Sequence, residues 1–217
     1  MLTDHPEEQK TYDRFRDRIM FPIRDLRGRT IAFGGRVLDA DAKPKYLNSP
    51  ETSVFHKGRE LYGLYEARKR VQKLDRLIVV EGYMDVVALA QNGVGYCVAT
   101  LGTATSTDHI ERMFRIVPTV FFCFDGDEAG RNAAWKALKS TIPAMEDGRS
   151  AKFLFLPDGE DPDTFIRKEG REAFETAIGS ALGFTDFFFQ TLEEGLDMNS
   201  AEGRAALSKL AVPLMAE

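Results

Sequence analysis

The stretch LIVVEGYMDVVALAQNGVGYCVAT (77–100), followed by TVFFCFDGDEAGRNAAWKALKST (119–141), decides how this chain folds. LIVV (77–80) is an uninterrupted apolar run between Arg76 and Glu81, rich in β-branched residues. It predicts a strand buried on both faces. MDVVALAQN (84–92) then places Met84, Val87, Ala88 and Ala90 at helical spacing. YCVAT (96–100) predicts a second strand, and residues 106–117 a helix capped by Ser106 or Thr107. TVFFCF (119–124) predicts a third buried strand leading into a helix over 128–141, and AKFLFLP (151–157) a fourth strand. Strands alternating with helices imply an α/β fold with a central parallel sheet flanked by helices.

The grammar differs on either side of this unit. Upstream, RIMFPI (18–23), TIAFGGRVL (30–38) and YLNSPETSVFHKG (46–58) read as short strands joined by Gly/Pro turns. Downstream, residues 164–217 read as helices, with Phe165, Ile166, Phe174 and Ile178 at helical intervals. The predicted organisation is a basic β-rich segment (1–75), an α/β unit (76–160) and a C-terminal helical subdomain (161–217).

Carboxylates fall where strands end. Glu81 follows LIVV directly, Asp125 and Asp127 follow TVFFCF, and Asp161 and Asp163 follow AKFLFLP after a short acidic loop. In an open parallel sheet the C-terminal strand ends share one edge, where ligands bind. Acids gathered there repel one another and raise each other's pKa unless a cation joins them. Oxygen-only ligands favour Mg²⁺, with Mn²⁺ as a substitute. Asp85, in the first turn of the next helix, is read either as a partner of the helix dipole or as a further metal or water contact. Any single one of these Asp residues could serve as an ordinary helix cap; three strands ending in acids point to a metal site.

Composition narrows the function classes. Lys and Arg outnumber Asp and Glu by 17 to 12 over residues 1–76, whereas beyond them the count is 12 to 22. A basic front and an acidic back suit a polyanion on one side and cations on the other. No apolar run is long enough for a membrane helix and the N-terminus is polar, so a cytoplasmic location with no membrane partner is expected. Cys97 and Cys123 lie in apolar runs, and His5, His56 and His109 are scattered. Two reduced core cysteines and no zinc site are expected.

VVEGYMDVVAL and FDGDEAGRNAA resemble the two signature motifs of the Toprim fold, shared by bacterial primases, topoisomerases and some nucleases. RFRDRIMFPIRDLRGRTIAFGGRVL, KPKYLNSPETSVFHKGRELYGLYEA and LPDGEDPDTFIRKEG closely resemble the DnaG-type bacterial primase family, from about Tyr12 to Leu192. The resemblance implies primer synthesis on single-stranded DNA from NTPs. It makes Glu81 the acid of the first motif and Asp125 and Asp127 the second pair, with Arg36, Lys45 and Lys57 holding nucleotide phosphates or template. It also implies that the zinc-binding domain, the first part of the polymerase domain and the part that meets the replicative helicase lie outside this stretch.

The residues support that reading independently. Arg14, Arg16, Arg18 and Arg24 alternate along an extended segment, so evenly spaced ones would share a strand face. Lys43, Lys45, Asn48, Lys57 and Arg59 lie in a loop-rich stretch interleaved with Tyr46 and Phe55, the mixture of charge and stacking surface that single strands require. Within it Lys43 and Arg59 read as solvated surface. The rival is another Toprim enzyme, a nuclease or a topoisomerase. A topoisomerase needs a tyrosine nucleophile on a gate domain, and Tyr12, Tyr46, Tyr62, Tyr65, Tyr83 and Tyr96 stand in ordinary positions. Two ions could activate the attacking hydroxyl, or Glu81 could act as general base or acid.

Overall fold

The computed structural model describes residues 2–5, 10–39 and 41–216. Strands β1 (Leu2–His5) and β2 (Lys10–Asp13) form an antiparallel pair. The chain then turns at Asp17, whose φ of 52° is the only positive value for a non-glycine among the described residues. Strands β3 (Arg18–Arg24), β4 (Thr30–Val37) and β5 (Tyr46–Asn48) follow as an antiparallel sheet with β4 in the middle.

This corrects the expected arginine face. The turn at Asp17 separates Arg14 and Arg16 from the strand, and the register shifts between Ile23 and Arg24. A shift of one residue inverts which side chains face which side. Arg14 instead donates to the Asn48 carbonyl at 3.0 Å, Arg18 donates to the Pro44 carbonyl at 2.8 Å, and Arg24 lies 3.5 Å from Glu66.

A short helix, α1 (Leu64–Arg70), leads into the α/β unit. Its elements are β6 (Arg76–Val80), α2 (Tyr83–Gln91), β7 (Cys97–Ala99), α3 (Thr107–Phe114), β8 (Thr119–Phe124), α4 (Glu128–Thr141) and β9 (Ser150–Phe155). Then come α5 (Pro162–Gly179), β10 (Leu182–Gly183), α6 (Phe184–Glu193) and α7 (Ala201–Met215). The sheet order is β10-β9-β8-β6-β7, parallel except for β10. From β6 the chain goes to β7 on one side and then crosses to β8 on the other. The gap between β6 and β8 is therefore the switch point, where an open α/β sheet presents a crevice at its carboxyl edge.

Strand alternation sends side chains to two cores. Leu77, Val79, Val120 and Phe122 pack under α1, α3, α4 and α6 on one face, joined by Ala211 of α7. Ile78, Val80, Phe121 and Cys123 pack under α2 and α5 on the other. Both cysteines are free and buried. The tail is helical and packs on the sheet: α5 covers one face, α6 and α7 the other, and Leu182–Gly183 adds an antiparallel edge that the apolar spacing of 164–217 does not reveal. The buried face of α2 also differs from the expected one. Tyr83, Val86, Ala88 and Leu89 point inward while Val87 is exposed, because Tyr83 is drawn into a third core.

That third core joins the two sheets. Phe21, Ile23, Ala32 and Phe55 from the front meet Tyr83 and Leu101 from the α/β unit. Phe21 stacks on Tyr83 at 5.4 Å, and Tyr62 meets the Tyr83 ring edge-on at 4.8 Å. Such aromatic pairs add roughly 0.5–1.5 kcal/mol each beyond the area they bury. Phe55 is fully buried and so unavailable to stack on a base, contrary to the sequence expectation; Tyr46 keeps 38% of its surface.

Candidate active site

The switch point brings the acids together. Glu81 and Asp125 directly follow the adjacent strands β6 and β8, and the segment after β9 carries Asp161 and Asp163. Glu81, Asp85, Asp125, Asp161 and Asp163 line one cavity of about 470 Å³. Its opposite wall is built by the front sheet, with Arg36 of β4 and Lys45, Tyr46 and Asn48 at β5.

Local structure explains each placement. The chain must leave β8 and enter α4 at once, and two glycines permit it. A Cβ on Gly126 would stand 2.3 Å from the Leu156 carbonyl oxygen, and one on Gly130 would stand 2.2 Å from that of Asp125. Asp127 caps α4, accepting from the Gly130 amide at 2.7 Å. Asp161 caps α5 in the same way through Thr164, with Pro162 at the first helical position. Asp85 accepts from the Gly82 amide at 2.9 Å at the start of α2, and Asp163 pairs with Arg167. The capping role and the convergence on one cavity are both realised. Asp127 does not line the 470 Å³ cavity, yet its charge reaches both Glu81 and Asp125. Among the described residues, Glu81 and Asp125 accept no hydrogen bond and make no ion pair.

The acids are electrostatically strained. Burial, followed by repulsion from Asp161, Asp125 and Asp163, raises Asp85 to about 7. Crowding of the Glu81 carboxyl by the cleft, then Asp125 and Asp127, pushes its pKa up. Burial and then Asp161 and Asp127 do the same for Asp125. Partnerless carboxylates that repel one another are what a hard cation neutralises. No three His, Cys, Asp or Glu among the described residues stand close enough to enclose an ion by themselves. The donor set fits an ion such as Mg²⁺, which uses one or two carboxylates and completes its shell with water and phosphate oxygens.

The basic wall is pre-positioned. Arg36 and Lys45 lie 5.8 and 5.9 Å from the Tyr46 ring and have no carboxylate partner among the described residues. Asn48 donates to the Leu101 carbonyl at 2.8 Å and accepts from the Tyr83 hydroxyl, so it spans the two sheets. Lys57 is not brought to this cavity. Its loop is tied to α3 instead: the buried His109 ring contacts the Lys57 and Glu60 carbonyls through Nε2 at 2.9 and 3.1 Å. Arg59 pairs with Asp108 at 2.7 Å, as a surface residue should. Sequence reasoning missed Tyr83, Thr100 and Gly102 as cavity residues. A tyrosine at the mouth of the first acid motif was the available signal for Tyr83; Thr100 and Gly102 carried none.

Comparison with known proteins agrees with this geometry. Residues 1–68 match the family described as DNA primase catalytic core, N-terminal domain, and residues 78–166 match a Toprim-like family. The DNA primase of Pseudomonas putida is 62% identical over 216 residues, covering 99% of this chain and 33% of that protein. A crystal structure of a DNA primase domain from Pseudomonas aeruginosa superposes with a TM-score of 0.96 at 60% identity, over 99% of this chain and 67% of that one. The chain belongs to the bacterial DnaG-type primase family.

Within that family, a DnaG primase catalytic domain bound to single-stranded DNA matches with a TM-score of 0.93 at 57% identity, over 100% of this chain and 69% of that one. The chain spans about a third of the length of the curated primase it matches. One expectation is overturned. Residues 185–217 match the DnaB-helicase binding domain of primase, so sequence belonging to that domain is present here rather than lying wholly elsewhere. The short resemblance motifs end near Leu192, before most of this match. Among the described residues, no helix is long and apolar enough to cross a membrane.

Proposed function

We propose that this chain supplies the catalytic centre of a DNA primase, making short RNA primers from NTPs on a single-stranded DNA template in the cytoplasm. The observation that carries this reading is the single cavity in which acids from three strand ends face Arg36 and Lys45. In the transfer, the 3′-oxygen of one nucleotide bonds to the α-phosphorus of another. The bond from that phosphorus to the bridging oxygen breaks, pyrophosphate leaves with the electron pair, and the hydroxyl proton passes to solvent or to Glu81.

Bound Mg²⁺, held by Glu81 and Asp125 with Asp85, Asp127, Asp161 and Asp163 around them, would neutralise phosphate charge and lower the hydroxyl pKa; Mn²⁺ would substitute. Arg36 and Lys45 bind the triphosphate oxygens from the opposite wall, and Tyr46 offers a stacking face beside them. Burial and then Asp125 and Asp127 raise the Glu81 pKa, which makes its carboxylate a better proton acceptor than a free one. Lys57, on the loop held by α3, meets template phosphate away from the cavity. Residues 185–217 contribute to contact with the replicative helicase.

The test is primer synthesis on single-stranded DNA by the intact enzyme, with and without Mg²⁺. Glu81→Gln and Asp125→Asn preserve shape and remove charge, so the protein folds while metal-dependent synthesis falls by about 100-fold or more. Undiminished synthesis by both variants contradicts the assignment.

A further inference from the structure

Two cavities meet at Glu81, Thr100 and Gly102. One is the acidic cavity, and the second has a volume of about 530 Å³. Thr103 and Thr105, on the loop after β7, form one wall, and Asn132 and Lys136 of α4 form the other. Asn132 and Lys136 are four residues apart and so share one helix face. The ends of β6 and β8, with Val79 and Phe124 from the core beneath α4 and Ala129 and Ala133 of α4 itself, supply its apolar lining.

The two cavities differ in chemistry. The first combines five carboxylates with Arg36 and Lys45, which matches a metal and a highly charged triphosphate. The second holds one acid, Glu81, and one cation, Lys136, which makes no ion pair among the described residues. Its hydroxyls and amide suit sugar hydroxyls or a base edge, its apolar lining suits a flat ring, and Lys136 suits one phosphate. The volume falls within the roughly 300–1,000 Å³ of small-molecule sites.

Resting on the nucleotidyl-transfer reading, we propose that this second cavity holds the nucleotide that supplies the attacking 3′-hydroxyl: the initiating nucleotide, and later the primer end. Joining two nucleotides needs two sites that meet at the reacting phosphorus, with attacking and leaving oxygens on opposite sides. Glu81 stands at the boundary between the cavities, beside the hydroxyl that must lose its proton. Thr103, Thr105, Asn132 and Lys136 bind and orient the acceptor and take no part in the bond change.

A nucleoside monophosphate separates the two sites, because without an anhydride it can only attack. In the intact enzyme, dimer formation is measured with AMP or GMP as acceptor and an NTP as donor on single-stranded DNA. Lys136→Ala and Asn132→Ala raise KM for the monophosphate about tenfold and leave KM for the NTP within about twofold. Lys45→Ala does the reverse. Both exposed helix positions tolerate alanine. Unchanged monophosphate KM in the α4 variants, or a rise confined to the NTP, overturns the proposal. Backbone amide shifts in the 217-residue chain, on titration with GMP, decide the matter without catalysis. Shifts at Thr103, Thr105, Asn132 and Lys136 support the site. Shifts confined to residues 36–48, or none, sink it. If the intact wild-type enzyme joins no nucleotides, the polymerase reading has failed, while the amide shifts still report on the acceptor site.

Discussion

The Tyr83 hydroxyl donates to Oδ1 of Asn48, linking the first helix of the α/β unit to the last strand of the front sheet. Asn48 completes the link by donating to the Leu101 carbonyl at 2.8 Å. The acids lie on one side of this joint and Arg36 and Lys45 on the other, so the joint sets the spacing between the acidic and basic walls of the cavity, the proposed metal and triphosphate subsites. Burial of the phenol raises its pKa further above the usual tyrosine range, and it remains a donor throughout the physiological range.

Tyr83→Phe keeps the ring stack with Phe21 and removes only the donor. The expected cost is about 1 kcal/mol of stability, read as a shift of the urea midpoint. Asn48→Ala strands both the Tyr83 hydroxyl and the Leu101 carbonyl and costs about 1–3 kcal/mol. Both variants raise KM for the NTP more than the matched loss of stability explains. An Asn48→Ala protein with wild-type midpoint and wild-type KM contradicts the joint.

Gly130→Ala tests the turn that carries Asp125. The new methyl would stand 2.2 Å from the Asp125 carbonyl oxygen, which belongs to the backbone and must move. Alanine is the better helix former, so propensity alone predicts stabilisation by about 1 kcal/mol. The clash reverses that sign: stability falls by about 1–3 kcal/mol and Mg²⁺ affinity falls with it. Calorimetric Mg²⁺ titration and thermal melting check both.

The raised Asp85 pKa sets a pH dependence. In the unfolded chain this group ionises near 3.8, whereas in the folded chain it holds its proton to about 7. Between those values the folded state binds more protons, so stability declines as pH rises, and the shifts of Glu81 and Asp125 act in the same direction. Without metal, the protein melts at a lower temperature at pH 8 than at pH 5.5. Asp85→Asn raises the pH 8 melting temperature by about 2–4 °C for each kcal/mol relieved and flattens the profile. Mg²⁺ favours the ionised acids, so its affinity rises with pH through 7. Equal melting temperatures at both pH values in wild type and variant refute this account.

Lys45 and Lys57 separate by salt dependence. Lys45 lines the acidic cavity, whereas Lys57 lies on the loop held by His109. Lys57→Ala lowers the logarithmic salt slope of single-strand binding by about 0.7 and leaves KM for the NTP unchanged. Lys45→Ala raises KM for the NTP. Identical effects from the two substitutions would place both on one ligand.

The strands and helices of the α/β unit were legible in residues 77–157 because burial on both faces demands continuous apolar runs, while turns demand glycine and capping acids. The same punctuation put Glu81, Asp125, Asp127, Asp161 and Asp163 at strand ends and identified them as candidates before any packing was known. What local pattern could not decide was adjacency. Pairing of β6 with β8, across the intervening β7, is a choice made by the whole sheet, and it alone brings Glu81 beside Asp125. The inward face of α2 depended on Tyr83 finding Phe21 and Tyr62, which are distant in sequence. The arginine register was lost to one positive φ and one bulge, and Lys57 was drawn away by His109; Thr103 and Lys136 have no motif that marks them, and Asn132 stands in FDGDEAGRNAA with nothing to single it out. Periodicity reports which side of an element is apolar. Which elements meet is determined by long-range burial, and only the tertiary structure records it.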